Sequence, residues 1–283
     1  MISVLVLTKN EQQDLPECLK SVAWSDDIHV YDSGSTDDTL LVARRFGAKI
    51  TLRTYGENSL AFGGDEAAHR NWGIRNIPFK YDWVFVIDAD ERVTRELGAA
   101  IEVMVAAPGN SVAFSVRRRD FFNGTWLRHV QISPFYIRLF RPKNIMYQRL
   151  INTALVVDGP TGKLNGFLDH FPFSKGIDHW IERHNSYSFF EARQIIANRT
   201  HDDCSNWTMA FFARDFHQRR YNQKALFYRL PFRPLIKFLI LYFGKCGFLD
   251  GRSGLTYAIL QSIYEYFIVL KVNELDADKV SSL

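Results

Sequence analysis

DWVFVIDADE, residues 82–91, decides the fold. Four apolar residues, Val84 to Ile87, run directly into Asp88, Asp90 and Glu91. An unbroken apolar run reads as a strand buried on both faces, as in a parallel sheet covered by helices. Charge placed just after such a strand lies at its carboxyl end. In open α/β sheets that end is where ligands bind.

The same grammar repeats upstream. ISVLVLT (2–8), DIHVYDSG (27–34) and AKITLRTY (48–55) read as strands. LPECLKSVAW (15–24), STDDTLLVARRFG (35–47) and GDEAAHRNWGIRNI (64–77) read as the helices between them. This alternation predicts a mostly parallel, doubly wound α/β sheet. Thr8, Asn10 and Glu11 follow the first strand, and Asp32 and Ser33 end the second, so all five join the acids at one predicted rim. Beyond residue 110 the pattern loosens into strands flanking a loop, then a helix over 179–199. Residues 230–249 and 254–272 read as two aromatic-rich apolar helices.

Composition is that of a globular chain of 283 residues, 47% hydrophobic and 23% charged. The net charge of +4 is unevenly placed. Arg214 to Arg252 holds nine bases and two acids, a net of +7, while residues 1–213 hold 24 bases and 25 acids. Such a segment points to an anionic partner, a membrane surface above all. No nucleic-acid recognition motif accompanies it. Cys18, Cys204 and Cys246 lie far apart, which favours a reducing compartment. Neither a signal peptide nor a run of 18 charge-free apolar residues is evident, so no spanning helix is expected.

Two carboxylates in Asp-x-Asp repel unless a cation or hydrogen-bond donors lie between them. Mg²⁺ or Mn²⁺ takes such oxygens and keeps positions open for phosphate. The other reading is a helix N-cap, with Asp90 or Thr94 starting the next helix. Asp32 and Ser33 suit a nucleobase or ribose, with Gly34 allowing close approach. Arg70 suits a phosphate, and Asn71 the nucleotide or a turn.

The ordered set VLVLTKNE, YDSGSTDDT, HRNWG and VIDADE resembles glycosyltransferase family 2, the inverting sugar transferases with the type-A fold. RRRDFFNGTWLRH, RLFR and HFPFSKGIDHWIERHNSYS, with the C-terminal helices, resemble its bacterial lipopolysaccharide-core and exopolysaccharide subgroup. The resemblance implies a nucleoside-diphosphate sugar donor and a divalent cation. Thr8, Asn10, Asp32 and Ser33 would line the nucleoside pocket, with Glu11 and Asn71 beside them. Arg70 and Asp88 would contact the nucleotide. Asp88 and Asp90 would face the metal, with His170 as a further metal or pyrophosphate ligand or a plain structural histidine. Trp180, Arg183 and His184 would line the cleft or simply pack.

Relatives often carry a His-Glu pair before a VDG-like turn, where this chain has Asn152 and Thr153. Asp120 is the expected substitute for that general base, and Asp169 the next choice. Asp120 has a competing reading as a salt-bridge partner of Arg117 to Arg119. The expected organisation is a catalytic domain over 1–213, with the donor side in 1–100 and the acceptor side in 101–213. A helical segment over 214–283 would associate with membrane or form a homodimer. The acceptor would be a glycolipid or lipid-linked oligosaccharide, met at the cytoplasmic face of the inner membrane. A lapsed nucleotide-sugar or glycan-binding protein and a nucleotidyltransferase are the alternatives. The second expects a glycine-rich basic loop where this chain has TKNEQQD.

Overall fold

The computed structural model describes residues 1–56, 64–131, 135–148, 153–200, 208, 210, 222–223 and 226–281. In chain order the elements begin β1 (Ser3–Thr8), α1 (Leu15–Ser21), β2 (Ile28–Asp32), α2 (Thr39–Arg45), β3 (Lys49–Leu52) and α3 (Glu66–Asn76). Then come β4 (Val84–Asp88), β5 (Glu91–Val93), α4 (Arg95–Ala106), β6 (Ala113–Phe122) and β7 (Thr125–Trp126). They end with β8 (Phe135–Phe140), β9 (Ile145–Gln148), β10 (Ala154–Val157), β11 (Thr161–His170), α5 (Gly176–Thr200), α6 (Arg233–Leu239) and α7 (Gly251–Ser281).

Two compact units result. Met1–Phe121 with Ser133–Lys175 make the first, and Phe122–Ile132 with Gly176–Leu283 the second. The boundary expected at 213–214 lies outside the described residues. The chain changes unit at 175–176 instead, so α5 groups with the C-terminal helices.

The first unit holds a mixed sheet in the order β3-β2-β1-β4-β8-β6-β11-β5. Strands β1 to β4 are parallel where they pair. β8 is antiparallel to both β4 and β6, and β11 is parallel to β6. Two reversals across β8 restore the original direction. The carboxyl ends of β1, β2, β4, β6 and β11 therefore meet at one rim. β5 runs back along β11, which sets Glu91 opposite His170.

The apolar runs are explained by burial on both faces. Val4, Val6, Phe85 and Ile87 pack with Leu15, Leu19, Leu97 and Ile101, from α1 and α4. Leu5, Tyr31, Val84 and Val86 pack with Ala67 and Ile74 of α3. Each such side chain contributes about 1.5–3 kcal/mol. Gly73 lets α3 lie against the sheet, since a Cβ there would meet the Tyr31 ring at 2.7 Å. Thr94, not Asp90, caps α4, with its side chain accepting from the Leu97 amide. That removes the helix-cap reading of Asp90.

In the second unit α7 packs on α5 through Ala192, Ile195, Ile268 and Val272. By length and composition alone, Gly247–Ala277 is long and apolar enough to cross a bilayer, which the charge-free-run criterion did not anticipate.

Candidate active site

At the carboxyl end of β2, Asp32 is fully buried. Its Oδ1 accepts from Thr8 Oγ1 at 2.9 Å and from the Ser35 hydroxyl. Its Oδ2 accepts from the amides of Gly34 and Ser35 at 3.0 and 2.8 Å. All four acceptor positions of the carboxylate are thus taken by the chain itself. Thr8 and Asp32, expected to line the nucleoside pocket, shape the loop that follows β2. Gly34 serves that turn through its φ of +82°, and a Cβ there would meet no protein atom nearer than 3.9 Å. Asn10 also adopts a left-handed φ of 56°, which asparagine tolerates. Its side-chain oxygen accepts from the Thr36 amide at 2.8 Å, tying the two rim loops together.

Ser33 leads to a residue the sequence reading passed over. Its hydroxyl lies 3.1 Å from His69 Nε2, and His69 Nδ1 lies 2.7 Å from the Tyr55 hydroxyl. The imidazole stacks on Tyr31, with centroids 4.2 Å apart. Burial, with Arg53, Arg70 and Lys9 nearby, pushes His69 down to about 3. It is a neutral hydrogen-bonding ring at working pH.

At the end of β4 the partners are cations. Asp88 lies 2.9 Å from Arg138 and 3.5 Å from Arg70. Arg138 also reaches the fully buried Glu91 at 2.6 Å. Glu91 in turn accepts from the Asp88 amide. Burial opposes ionisation of Asp88, but Arg138 and Arg70 outweigh it and hold the carboxyl down at about 2. Arg138 is the first residue of RLFR, a motif that by itself assigns it no partner. Asn71 is not at this site. Its amide exchanges two 2.8 Å bonds with the backbone of Tyr147, the donor and acceptor pair of a ladder rung, and fastens α3 to β9.

Asp90 faces His170. Nε2 of the imidazole lies 3.4 Å from Asp90 Oδ2, and Nδ1 lies 2.5 Å from Asp120 Oδ1. Burial works against charge on His170, but Asp90 and the bond to Asp120 outweigh it, raising the ring to about 9. The register makes this triad possible. β6 and β11 pair His170 with Asp120 and Asp169 with Arg119. Neighbouring residues on a strand point to opposite faces. Asp169 is therefore on the other face, held by Arg119 through Nε at 2.5 Å and a second nitrogen at 2.8 Å. It does not join the site, which corrects its place as second-choice base. Asp120 is 3% exposed and lies 3.1 Å from Arg118 Nε as well as beside His170. This is the salt-bridged reading, with His170 as an added partner, and the arrangement of a group that orients an imidazole.

Glu11 closes the rim's other side. It lies 2.7 Å from Lys175 Nζ, which also donates to the Asn10 carbonyl at 2.7 Å. Burial pushes Glu11 up to about 7 against the opposing pull of Lys175. Its Oε2 is buried without a hydrogen-bond partner. Ser174 adds a 2.6 Å bond to Asp14, so the FPFSK segment clasps the loop after β1.

Among the described residues no three or more His, Cys, Asp or Glu side chains gather as a metal cage. Mg²⁺ and Mn²⁺ sites that serve phosphate transfer need fewer, taking one or two protein ligands and filling the rest with substrate oxygens and water. Asp90 and His170 supply such a pair. The bond from His170 Nδ1 to Asp120 is the carboxylate–histidine pattern that aims Nε2 at an ion. The donor set fits a divalent cation at Asp90 and His170, where the ion would take the place of the Nε2 proton; Asp88, expected as a ligand, is matched instead by two guanidiniums.

The sequence pattern of glycosyl transferase family 2 matches residues 3–168, more than half of the chain. The chain belongs to glycosyl transferase family 2. The nucleotidyltransferase alternative ends here. The chain is 27% identical over 278 residues to the lipopolysaccharide core biosynthesis glycosyltransferase LpsC of Rhizobium meliloti, covering 94% of this chain and 92% of the relative. It is 27% identical over 240 residues to the uncharacterized glycosyltransferase RT0209 of Rickettsia typhi, covering 78% and 77%. Among solved structures, Staphylococcus aureus TarS 1–349 covers 93% of this chain and 90% of its own, with 13% identity and a TM-score of 0.42. The sheet expected of a family 2 enzyme is the one described above, and the C-terminal helical segment is present.

Two of the cleft candidates of the second unit, Trp180 and His184, pack on each other. Trp180 is 2% exposed, and His184 stacks on it at 3.7 Å and meets the edge of Tyr264 at 4.9 Å. Its Nδ1 donates to the Trp180 carbonyl, and burial pushes the ring down to about 4. Arg183 Nε is buried without a hydrogen-bond partner. Asn152 lies outside the described residues.

Proposed function

We propose that this family 2 glycosyltransferase moves a sugar, with inversion, from a nucleoside-diphosphate sugar to a hydroxyl of a lipid-linked or lipopolysaccharide-type glycan. The observation carrying this reading is the Asp90–His170–Asp120 series on the rim where five strands end. The loops shaped by Asp32, Ser33 and Asn10 border the nucleoside. Arg70 faces the diphosphate, and Asp90 with His170 would hold the divalent cation. When bound, such an ion neutralises the diphosphate and stabilises it as a leaving group. Asp120 keeps His170 in the required orientation. Lys175 and Glu11 hold the first rim loop closed. The likeness to LpsC over most of both chains supports the acceptor class, and with it a working place at the cytoplasmic face of the inner membrane.

The test is release of nucleoside diphosphate from a panel of sugar donors, with and without lipid-linked acceptors and chelator. One donor is expected to be consumed, faster with acceptor, and chelator is expected to stop it. Donor binding without turnover under every condition would make this a binding protein.

A further inference from the structure

The second unit carries a surface that transfer chemistry does not use. In the first unit the exposed large apolar side chains are separate ones, such as Leu41 and Val103. In the second they crowd together in sequence. Phe232 is 79% exposed, Leu249 60%, Leu235 58% and Phe243 57%, with Leu239, Ile240 and Phe248 nearly half exposed. The chain between α6 and α7 is a widened turn over Ile240–Gly244, a left-handed residue at Cys246 and a 3₁₀ turn over Gly247–Asp250. Phe243, Phe248 and Leu249 lie on this connection. A cluster of that kind on a water-soluble surface marks an interaction site.

Charge identifies the partner. Between residues 226 and 264 the sole acid is Asp250. Its carboxylate is 3% exposed and is taken up within the unit, accepting from the amides of Arg128, His129 and Val130 and lying 2.8 Å from His129 Nδ1. Arg233 is withdrawn too; it is 5% exposed and 3.6 Å from Glu265. Arg229, Lys237, Lys245 and Arg252 are at least partly exposed, so the exposed charge within this stretch is positive. A second copy docked symmetrically would set these cations against themselves, since a two-fold interface uses the same patch twice. An anionic phospholipid surface matches both features. Helix α7 has one face committed to α5, and its Glu265 is paired with Arg233. That suits a helix lying on a leaflet rather than crossing it.

We propose that residues 229–252 form a wedge that seats the protein on one leaflet of an anionic membrane. Phe232, Leu235, Phe243 and Leu249 enter the acyl boundary, and Lys237, Lys245 and Arg252 meet lipid phosphates. The inference deepens the reading of a membrane-presented acceptor and rests on it only for purpose, not for binding.

The experiment is co-sedimentation of the full chain with phosphatidylglycerol-containing or pure phosphatidylcholine vesicles. Binding is expected to the anionic vesicles and to weaken with salt. F243S/L249S should lower it by about tenfold or more. K237E/K245E should lower it by at least about fivefold per charge. Unchanged circular dichroism melting checks that each variant folds. Absence of anionic-vesicle binding, or binding that ignores both variants, overturns the wedge. So does a solution dimer that F243S/L249S dissolves, which would make the patch an interface between copies. Donor cleavage in vesicle-free solution is read separately: vesicle binding without cleavage keeps the wedge and sinks the transfer reading.

Discussion

Asp32 and Asp88 end parallel strands on either side of β1, yet they are stabilised in opposite ways. Asp32 is surrounded by neutral hydroxyls and amides, from Thr8 at the end of β1 and from the loop that follows Asp32 itself. Asp88 faces two guanidiniums on long side chains from α3 and β8. The first arrangement fixes a loop and leaves nothing to exchange. The second sets charge against charge, and a diphosphate or an ion can compete for it. Position at the rim therefore does not assign a role; the chemical kind of the partner does.

Four substitutions probe that contrast. Arg138→Ala leaves the buried Glu91 without its 2.6 Å partner. It should cost about 3–5 kcal/mol, read from the denaturant midpoint; a loss below about 1 kcal/mol would place Glu91 in a wetter setting than described. Asp90→Asn should lower turnover about 10²–10³-fold while changing stability by less than about 1 kcal/mol. Calorimetry with Mn²⁺ showing wild-type donor affinity and stoichiometry would remove Asp90 from the ion. Asp32→Ala should reverse that pattern, losing about 1–3 kcal/mol of stability and weakening donor affinity while leaving the chelator response intact. If its turnover instead lost divalent-ion dependence, the line between loop-shaping and ion-facing carboxylates would be gone. Asp169→Asn, on the far face of β11, should cost at most about 1 kcal/mol and leave kcat within about twofold. A large kcat loss there would show that the strand parity argument misplaces the site.

Much of this rim was legible because it is written locally. VFVID announces a strand buried on both sides, and the acids after it follow from the sheet rule. The loop after β2 was also visible, as was the cap role open to Thr94. What escaped were partners brought in by register. Arg138 is 50 residues from Asp88, and His69 is 36 from Ser33. RLFR and HRNWG contain both residues, but nothing in either motif says which carboxylate or hydroxyl it will meet. Asn71 looked like a ligand because it follows Arg70, whereas the helix turns its amide toward β9.

The amino-acid sequence alone determined the family, the parallel α/β core and the gathering of acids after β1, β2 and β4. Apolar runs, turn residues and their spacing act over a few residues, where local sterics and burial suffice. Tertiary structure alone decided between Asp120 and Asp169, which are equal as symbols in a sequence. Side chains on a strand alternate faces, so a one-residue difference in register sends one carboxylate to His170 and the other to Arg119. That pairing depends on two strands about 50 residues apart, a contact that no local pattern encodes.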